Sequence, residues 1–218
     1  VPEGTELVVY TRALEVADAH ILEEVRAQGI ALLSYPEVLH IISANKYTIA
    51  ISGTHGKTTT TAMVGEVLLD AGRDPTIVVG SLLARTGTNF VRGASDYFVV
   101  EADEYRRSFH ALVPRVLAIT NVEADHLDYY RDIDDVVDAF RTMALRVPPE
   151  GAIICNSSAP NIPRVIDGVV ASVIDYSECI DPTIALRVPG AHNRENAAVA
   201  LALSRYLHLD EVKVRQTL

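Results

Sequence analysis

Tryptophan is absent from the 218 residues, methionine and cysteine occur only twice each, and phenylalanine four times. The two cysteines, Cys155 and Cys179, have neither CxxC spacing nor the density of a disulfide scaffold. They point to a reducing compartment and to two buried, chemically silent thiols. Cationic clusters are also missing. Lys and Arg total 19 against 29 Asp and Glu, a net charge of −10, with a pI near 5.1. A protein that grips a nucleic-acid backbone needs clustered Lys and Arg, so nucleic acid is excluded as a partner. No apolar run is long enough for a membrane span and no signal peptide opens the chain, which excludes the membrane. Internal repeats and low-complexity tracts are lacking. So is an initiating methionine, and the start on Val1-Pro2 suggests a piece excised from a longer protein.

Hydrophobic residues make up 49% of the chain, enough for a sizeable core in one large or two small domains. Strand and helix patterns alternate. Glu6 to Tyr10 reads as a strand, Ala17 to Gln28 as a helix stopped by Gly29, and Ile30 to Leu33 as a second strand, together a β-α-β unit. Pro36 opens a short helix to about Ile42, and Ser43 to Lys46 reads as a linker and domain boundary. Beyond it, strands are expected at 47–51, 76–79, 96–100, 115–120, 152–155 and 169–174, with a further extended piece at 183–188. Helices are expected at 58–71, with Met63, Val64, Val67 and Leu68 as its apolar face, and at 134–146, 160–166, 193–207 and 209–218. Gly80 to Gly93 has no clean period and reads as a loop. The alternation predicts an α/β fold: a P-loop-type, doubly wound, mostly parallel sheet flanked by helices.

The chemistry concentrates where strands end. Tyr47 to Thr61, YTIAISGTHGKTTTT, is an apolar strand, a glycine turn carrying Lys57, and hydroxyls opening a helix. Gly53 and Gly56 let bare backbone N–H groups approach an anion, and Lys57 with Thr58 sit where the helix dipole favours phosphate. The GxxxxGK[ST] pattern fails by one residue, since Ile51 stands where its first glycine belongs, leaving the shorter Gly53-Thr54-His55-Gly56-Lys57-Thr58-Thr59. An ordinary strand-to-helix turn with an incidental lysine accounts for less of this than a phosphate loop does. Glu101, closing DYFVV and opening EADE, is placed to hold Mg²⁺ opposite the loop hydroxyl, the alternative being a merely solvated strand end. After Thr120 comes NVEADH, whose His126 has three open roles: metal ligand, general base or satisfied structural histidine. His192, Asn193 and Asn196 stand at a helix start, where amides cap the helix or read a base edge; a cap explains Asn193 but not both asparagines.

Four motifs, GTHGKTTTT at 53–61, EADE at 101–104, TNVEADHLDYY at 120–130 and PGAHNRENA at 189–197, occur in an order and spacing that resembles the central ATPase domain of the Mur ligases. The resemblance covers the chain from about Lys46 to its end and is greatest to the branch that joins L-alanine to UDP-N-acetylmuramate. Tyr105-Arg106-Arg107 after EADE is also similar to the branch that recycles murein tripeptide, and a non-catalytic nucleotide-binding module is a third reading. Residue by residue, the resemblance implies that Gly53 to Thr59 cradle the phosphates of ATP, with His55 in the loop and Lys57 on the β and γ phosphates. It implies that Thr58 and Glu101 ligate Mg²⁺, that His126 holds a second metal ion, and that His192, Asn193 and Asn196 lie near the adenine. Lys57, Glu101 and His126 are then the catalytic set of an ADP-forming acid–amino-acid ligase working through an acyl phosphate in the cytoplasm. Several members carry a modified lysine on the helix after the DH pair; residues 134–146 contain none, which agrees with the L-alanine branch. Residues 1–45 resemble only the tail end of the family's Rossmann-like UDP-binding domain, without its glycine-rich fingerprint, and 46–218 the ATPase domain. Without an amino-acid-binding domain, such a piece is not expected to ligate alone.

Overall fold

The computed structural model describes residues 1–11 and 13–218. Near the N-terminus, β1 (Leu7–Tyr10) and β2 (Ala31–Ser34) pair in parallel across the helices α1 (Ala13–Ala17) and α2 (Ala19–Ala27). The single helix expected from Ala17 is therefore two, broken at Asp18 and starting earlier. The spacing Ser34-x-x-Glu37 sets up α3 (Tyr35–Ala44): the Glu37 carboxylate accepts from the Ser34 backbone N–H at 2.7 Å and its hydroxyl at 2.6 Å.

From Tyr47 onward the chain builds a second sheet of seven strands: β3 (Tyr47–Ser52), β4 (Thr76–Val78), β5 (Phe90–Val91), β6 (Tyr97–Glu101), β7 (Val116–Ile119), β8 (Ala152–Cys155) and β9 (Ser172–Asp175). Their order is β5-β4-β6-β3-β7-β8-β9, parallel except for β5 against β4. The expected doubly wound sheet is present, with one addition. Residues 80–93 are not wholly loop, because Phe90 and Val91 form an edge strand too short to show a period.

Period-two alternation divides the core into two layers. Ile49, Ile51, Val99, Val116, Ala118 and Ile154 face α4 (Lys57–Asp70) and its neighbours, whereas Ala50, Phe98, Val100, Leu117, Ile119 and Ile153 face the opposite layer. Both faces are covered, which is why these strands read as unbroken apolar runs. The second layer is built by α5 (Ile133–Ala144) and α6 (Ile162–Ile166), and the first is completed by α7 (Ala191–Tyr206) and α8 (Glu211–Thr217). Asp132 caps α5 by accepting from the Asp135 N–H at 2.9 Å. Alanines let α7 lie close against α4, where Gly65 is also buried; Val64, Val67 and Leu68 face inward as expected, but Met63 is only half-buried. The piece at 183–188 forms no strand, and Arg194 instead donates to the carbonyls of Pro182 at 3.1 Å and Ile184 at 3.4 Å.

Both thiols are buried and unpaired, and burial pushes Cys155 up to about 12. Among the described residues no helix is long and apolar enough to cross a membrane. Strands β6, β3 and β7 are neighbours in the middle of the sheet, so the three polar loops at their carboxyl ends are brought together.

Candidate active site

The phosphate loop is fixed by its backbone. Gly53 has φ 135° and Gly56 φ 83°, conformations open to glycine. A Cβ on Gly53 would lie 2.0 Å from Thr120 Oγ1, and one on Gly56 2.5 Å from Asn196 Oδ1. The loop therefore presses directly on α7 and on the residues that follow β7. Asn121 holds His55 from both sides, its Oδ1 accepting from the backbone N–H at 2.9 Å and its Nδ2 donating to the carbonyl at 3.1 Å. The Thr54 N–H donates to the Asn121 carbonyl at 3.1 Å. Glycines, a pinned loop and the start of a fourteen-residue helix are the components of an anion cradle.

Lys57 folds back over this loop. Its ammonium donates to the carbonyls of Gly53 at 2.7 Å and Thr54 at 3.2 Å, and to Glu104 Oε1 at 3.0 Å. Glu104 is 1% exposed, and its Oε2 lies 2.8 Å from Lys57 Nζ, although no donor is directed at that oxygen. Burial pushes the Glu104 carboxyl above the ordinary range, and Lys57 opposes the shift. Next to it, the Thr58 hydroxyl donates to Glu101 Oε1 at 2.8 Å, while the Gly80 N–H donates to Oε2 at 2.6 Å. Glu101 and the loop hydroxyl, the two groups that the sequence assigns to one magnesium ion, thus lie side by side.

His126 reaches the same point from β7. Its Nε2 is 3.4 Å from Glu104 Oε1, and its ring packs on Tyr105 at 4.9 Å between centroids. The acids beside it are engaged: Asp125 accepts the His126 backbone N–H at 2.7 Å, and Asp128 accepts the Tyr105 hydroxyl at 2.9 Å. One donor atom each from Asp103, Glu104 and His126 lie within 4.8 Å of one another. The sequence pattern drew attention to Glu101 but not to Glu104, three residues on in EADE. The signal was present, since a second glutamate at a strand end needs a reason, but its burial depends on the turn that follows. There Arg106 (φ 51°) and Arg107 (φ 56°) are left-handed, as is His126 (φ 53°), and the Tyr130 hydroxyl anchors the Glu104 carbonyl at 2.5 Å. The two carboxylates of Asp103 and Glu104 with the His126 imidazole suit a divalent cation, and Glu104 Oε2, which accepts no hydrogen bond, gives it a buried oxygen.

On the other side of the loop, His192 and Asn196 line a cavity of about 290 Å³ with His55, Gly56 and Tyr176. Asn193 does not line it. The two asparagines are buried and joined: Asn196 Nδ2 donates to Asn193 Oδ1 at 3.1 Å, and Asn196 Oδ1 accepts from Thr60 at 3.0 Å. Their observed contacts tie α7 to α4 beneath the loop.

A family model described as the Mur ligase middle domain matches residues 51–182, more than half of the chain. UDP-N-acetylmuramate–L-alanine ligase of Agathobacter rectalis is 38% identical over 97% of this chain and 52% of that protein. The enzyme of the same name from Caldicellulosiruptor bescii is 33% identical over 99% of this chain and 53% of that protein. The chain thus spans about half the length of these curated relatives. In fold it is similar to UDP-N-acetylmuramate:L-alanyl-γ-D-glutamyl-meso-diaminopimelate ligase from Neisseria meningitides, with a TM-score of 0.84 at 24% identity over 98% of this chain and 78% of that one. It is also similar to UDP-N-acetylmuramate-alanine ligase from Thermotoga maritima, with a TM-score of 0.77 at 24% identity over 98% of this chain and 54% of that one. With the loop, the two acidic strand ends and the match over residues 51–182 all in place, the chain belongs to the Mur ligase family.

Proposed function

We propose that the chain carries the ATP site of an ADP-forming ligase of peptidoglycan precursor synthesis, which joins L-alanine to UDP-N-acetylmuramate through an acyl phosphate. One observation carries the reading: Lys57 and the loop amides, Glu101 on Thr58, and His126 beside Glu104 converge from three adjacent strand ends. A module that only bound nucleotide would not need the third group. The choice of L-alanine is supported by the names of relatives 33% to 38% identical to this chain.

In this reading the amides of 54–59 and the Lys57 ammonium hold the β and γ phosphates. Thr58 and Glu101 would hold one magnesium ion, and His126 with Asp103 and Glu104 a second. Bound magnesium supplies neutralisation of the charge on the transferred phosphoryl group. The chain's own contribution is position: a buried Glu104 fixes Lys57, and Tyr105 orients the His126 ring. Across Glu101 and Asp103 lies a cleft of about 640 Å³ walled by Tyr35, Pro36 and Leu39, which we assign to the acceptor. Residues 1–45 thereby act as a unit on the acceptor side of the ATPase core. The acceptor carboxylate attacks the γ phosphorus and ADP leaves; the amine then attacks the acyl carbon and inorganic phosphate leaves.

In the complete gene product carrying this chain, ADP release is expected to require both UDP-N-acetylmuramate and L-alanine. His126→Ala is expected to lower turnover about a hundredfold while leaving nucleotide affinity nearly unchanged. Release driven by murein tripeptide and not by L-alanine would transfer the assignment to the recycling reaction, and full turnover in the His126 variant would end its metal role.

A further inference from the structure

The cavity beside the loop contains one group that the reading above leaves unused. Glu195, on α7, is exposed at the cavity's edge, whereas Tyr176 opposite is 1% exposed and forms its floor. The other polar groups there are largely committed. The Tyr176 hydroxyl donates to the Thr120 carbonyl at 2.7 Å, Asn121 is spent on the His55 backbone, and Asn196 on Thr60 and Asn193. Among the described residues Glu195 has no hydrogen-bond or ion-pair partner. Its charge is felt within the cavity, adding to burial in raising the Tyr176 hydroxyl above its ordinary value.

Ionised, this carboxylate is acceptor-only and needs donors. A nucleoside triphosphate offers few kinds. Its phosphates accept and repel, and adenine presents a single exocyclic amine, but the ribose presents two hydroxyls. His55 and Gly56 belong to both loop and cavity, so phosphates seated on the loop amides put the sugar at the mouth, where Glu195 stands, and the base toward Tyr176. We propose that Glu195 accepts hydrogen bonds from the ribose hydroxyls and makes the site selective for ribonucleotides, an inference that rests on the nucleotide reading above.

The test is calorimetric titration of the chain, with magnesium, against ATP, 2′,3′-dideoxyATP and inosine triphosphate, for the wild type, Glu195→Ala and Glu195→Gln. The wild type is expected to bind ATP about tenfold tighter than the dideoxy nucleotide. Glu195→Ala should lose that preference by weakening ATP alone, with dideoxyATP unchanged or tighter once a negative charge is removed. Glu195→Gln, which keeps one acceptor, should fall between. A sugar preference that survives Glu195→Ala, equal weakening of both sugars, or a change confined to the ATP-to-inosine ratio would each overturn the proposal while leaving nucleotide binding intact. Failure of the wild type to bind any of the three would overturn the nucleotide reading and this inference together.

Discussion

Lys57→Ala is expected to abolish binding of magnesium-ATP and also to lower the stability of the empty protein by about 3 kcal/mol at neutral pH. The first effect follows from removing the ammonium that closes over the loop. The second arises because Glu104 is 1% exposed and Lys57 is its cation, at 2.8 Å and 3.0 Å from the two oxygens. Loss of one partner of such a pair strands the other charge in a low-dielectric site. The sign with pH follows from the folded carboxyl already standing above its ordinary value near 4.5, through burial, with Lys57 acting to lower it. A raised carboxyl means that the folded state keeps a proton the unfolded state releases, so stability falls as pH climbs from that value through the folded one. Without Lys57 the folded value rises further. The variant's deficit should therefore be greatest at neutral pH and shrink in acid, as read by urea unfolding at several pH values. Adding Glu104→Gln should restore stability without restoring nucleotide binding, which separates the two roles.

Gly53→Ala should be about as damaging, by a different route. At φ 135° a side chain is strained whatever surrounds it, and here the new methyl would sit 2.0 Å from Thr120 Oγ1, with the backbone nitrogens of Thr120 and Asn121 at 3.0 Å and 3.1 Å. A hydroxyl can rotate away, but the backbone just beyond β7 cannot. The expected loss is about 3 kcal/mol or more, with nucleotide binding lost because the loop amides are displaced. Gly4→Ala is the control. Its φ is 83° with nothing within 4 Å of the added carbon, so it carries only the conformational cost of about 1 kcal/mol. Equal midpoints for the two variants in thermal unfolding would show that the close packing of the loop on the residues after β7 is not what makes Gly53 necessary.

The strand-to-loop signals were legible because each is local. An apolar run, a glycine pair and a lysine at a helix start need no tertiary knowledge, and β3, β6 and β7 lie within a residue or two of where the alternation places them. That the three ends adjoin is a property of the strand order, which the parallel βα pattern constrains but does not specify. Glu104 was hidden for a different reason. EADE shows three acids of equal standing, and only the left-handed turn at Arg106 and Arg107, with Tyr130 gripping the Glu104 carbonyl, turns one of them inward onto Lys57. The asparagines on α7 show the same limit: their amides look available in sequence but are engaged with Thr60 and with each other. At 183–188, where an extended piece is expected, the Ile184 carbonyl is bound by Arg194 rather than by a neighbouring strand.

The central claim is that the loop after β3 and the carboxylates after β6 together hold ATP with a divalent ion. Thermal unfolding of the chain with a non-hydrolysable ATP analogue, with and without magnesium, tests it most directly. At about one hundred times the dissociation constant, binding should stabilise the fold by about 2.7 kcal/mol and raise the midpoint by roughly 5–10 °C, and most of that rise should vanish when magnesium is withheld. An unmoved midpoint, or a rise of the same size without the metal, would contradict the account.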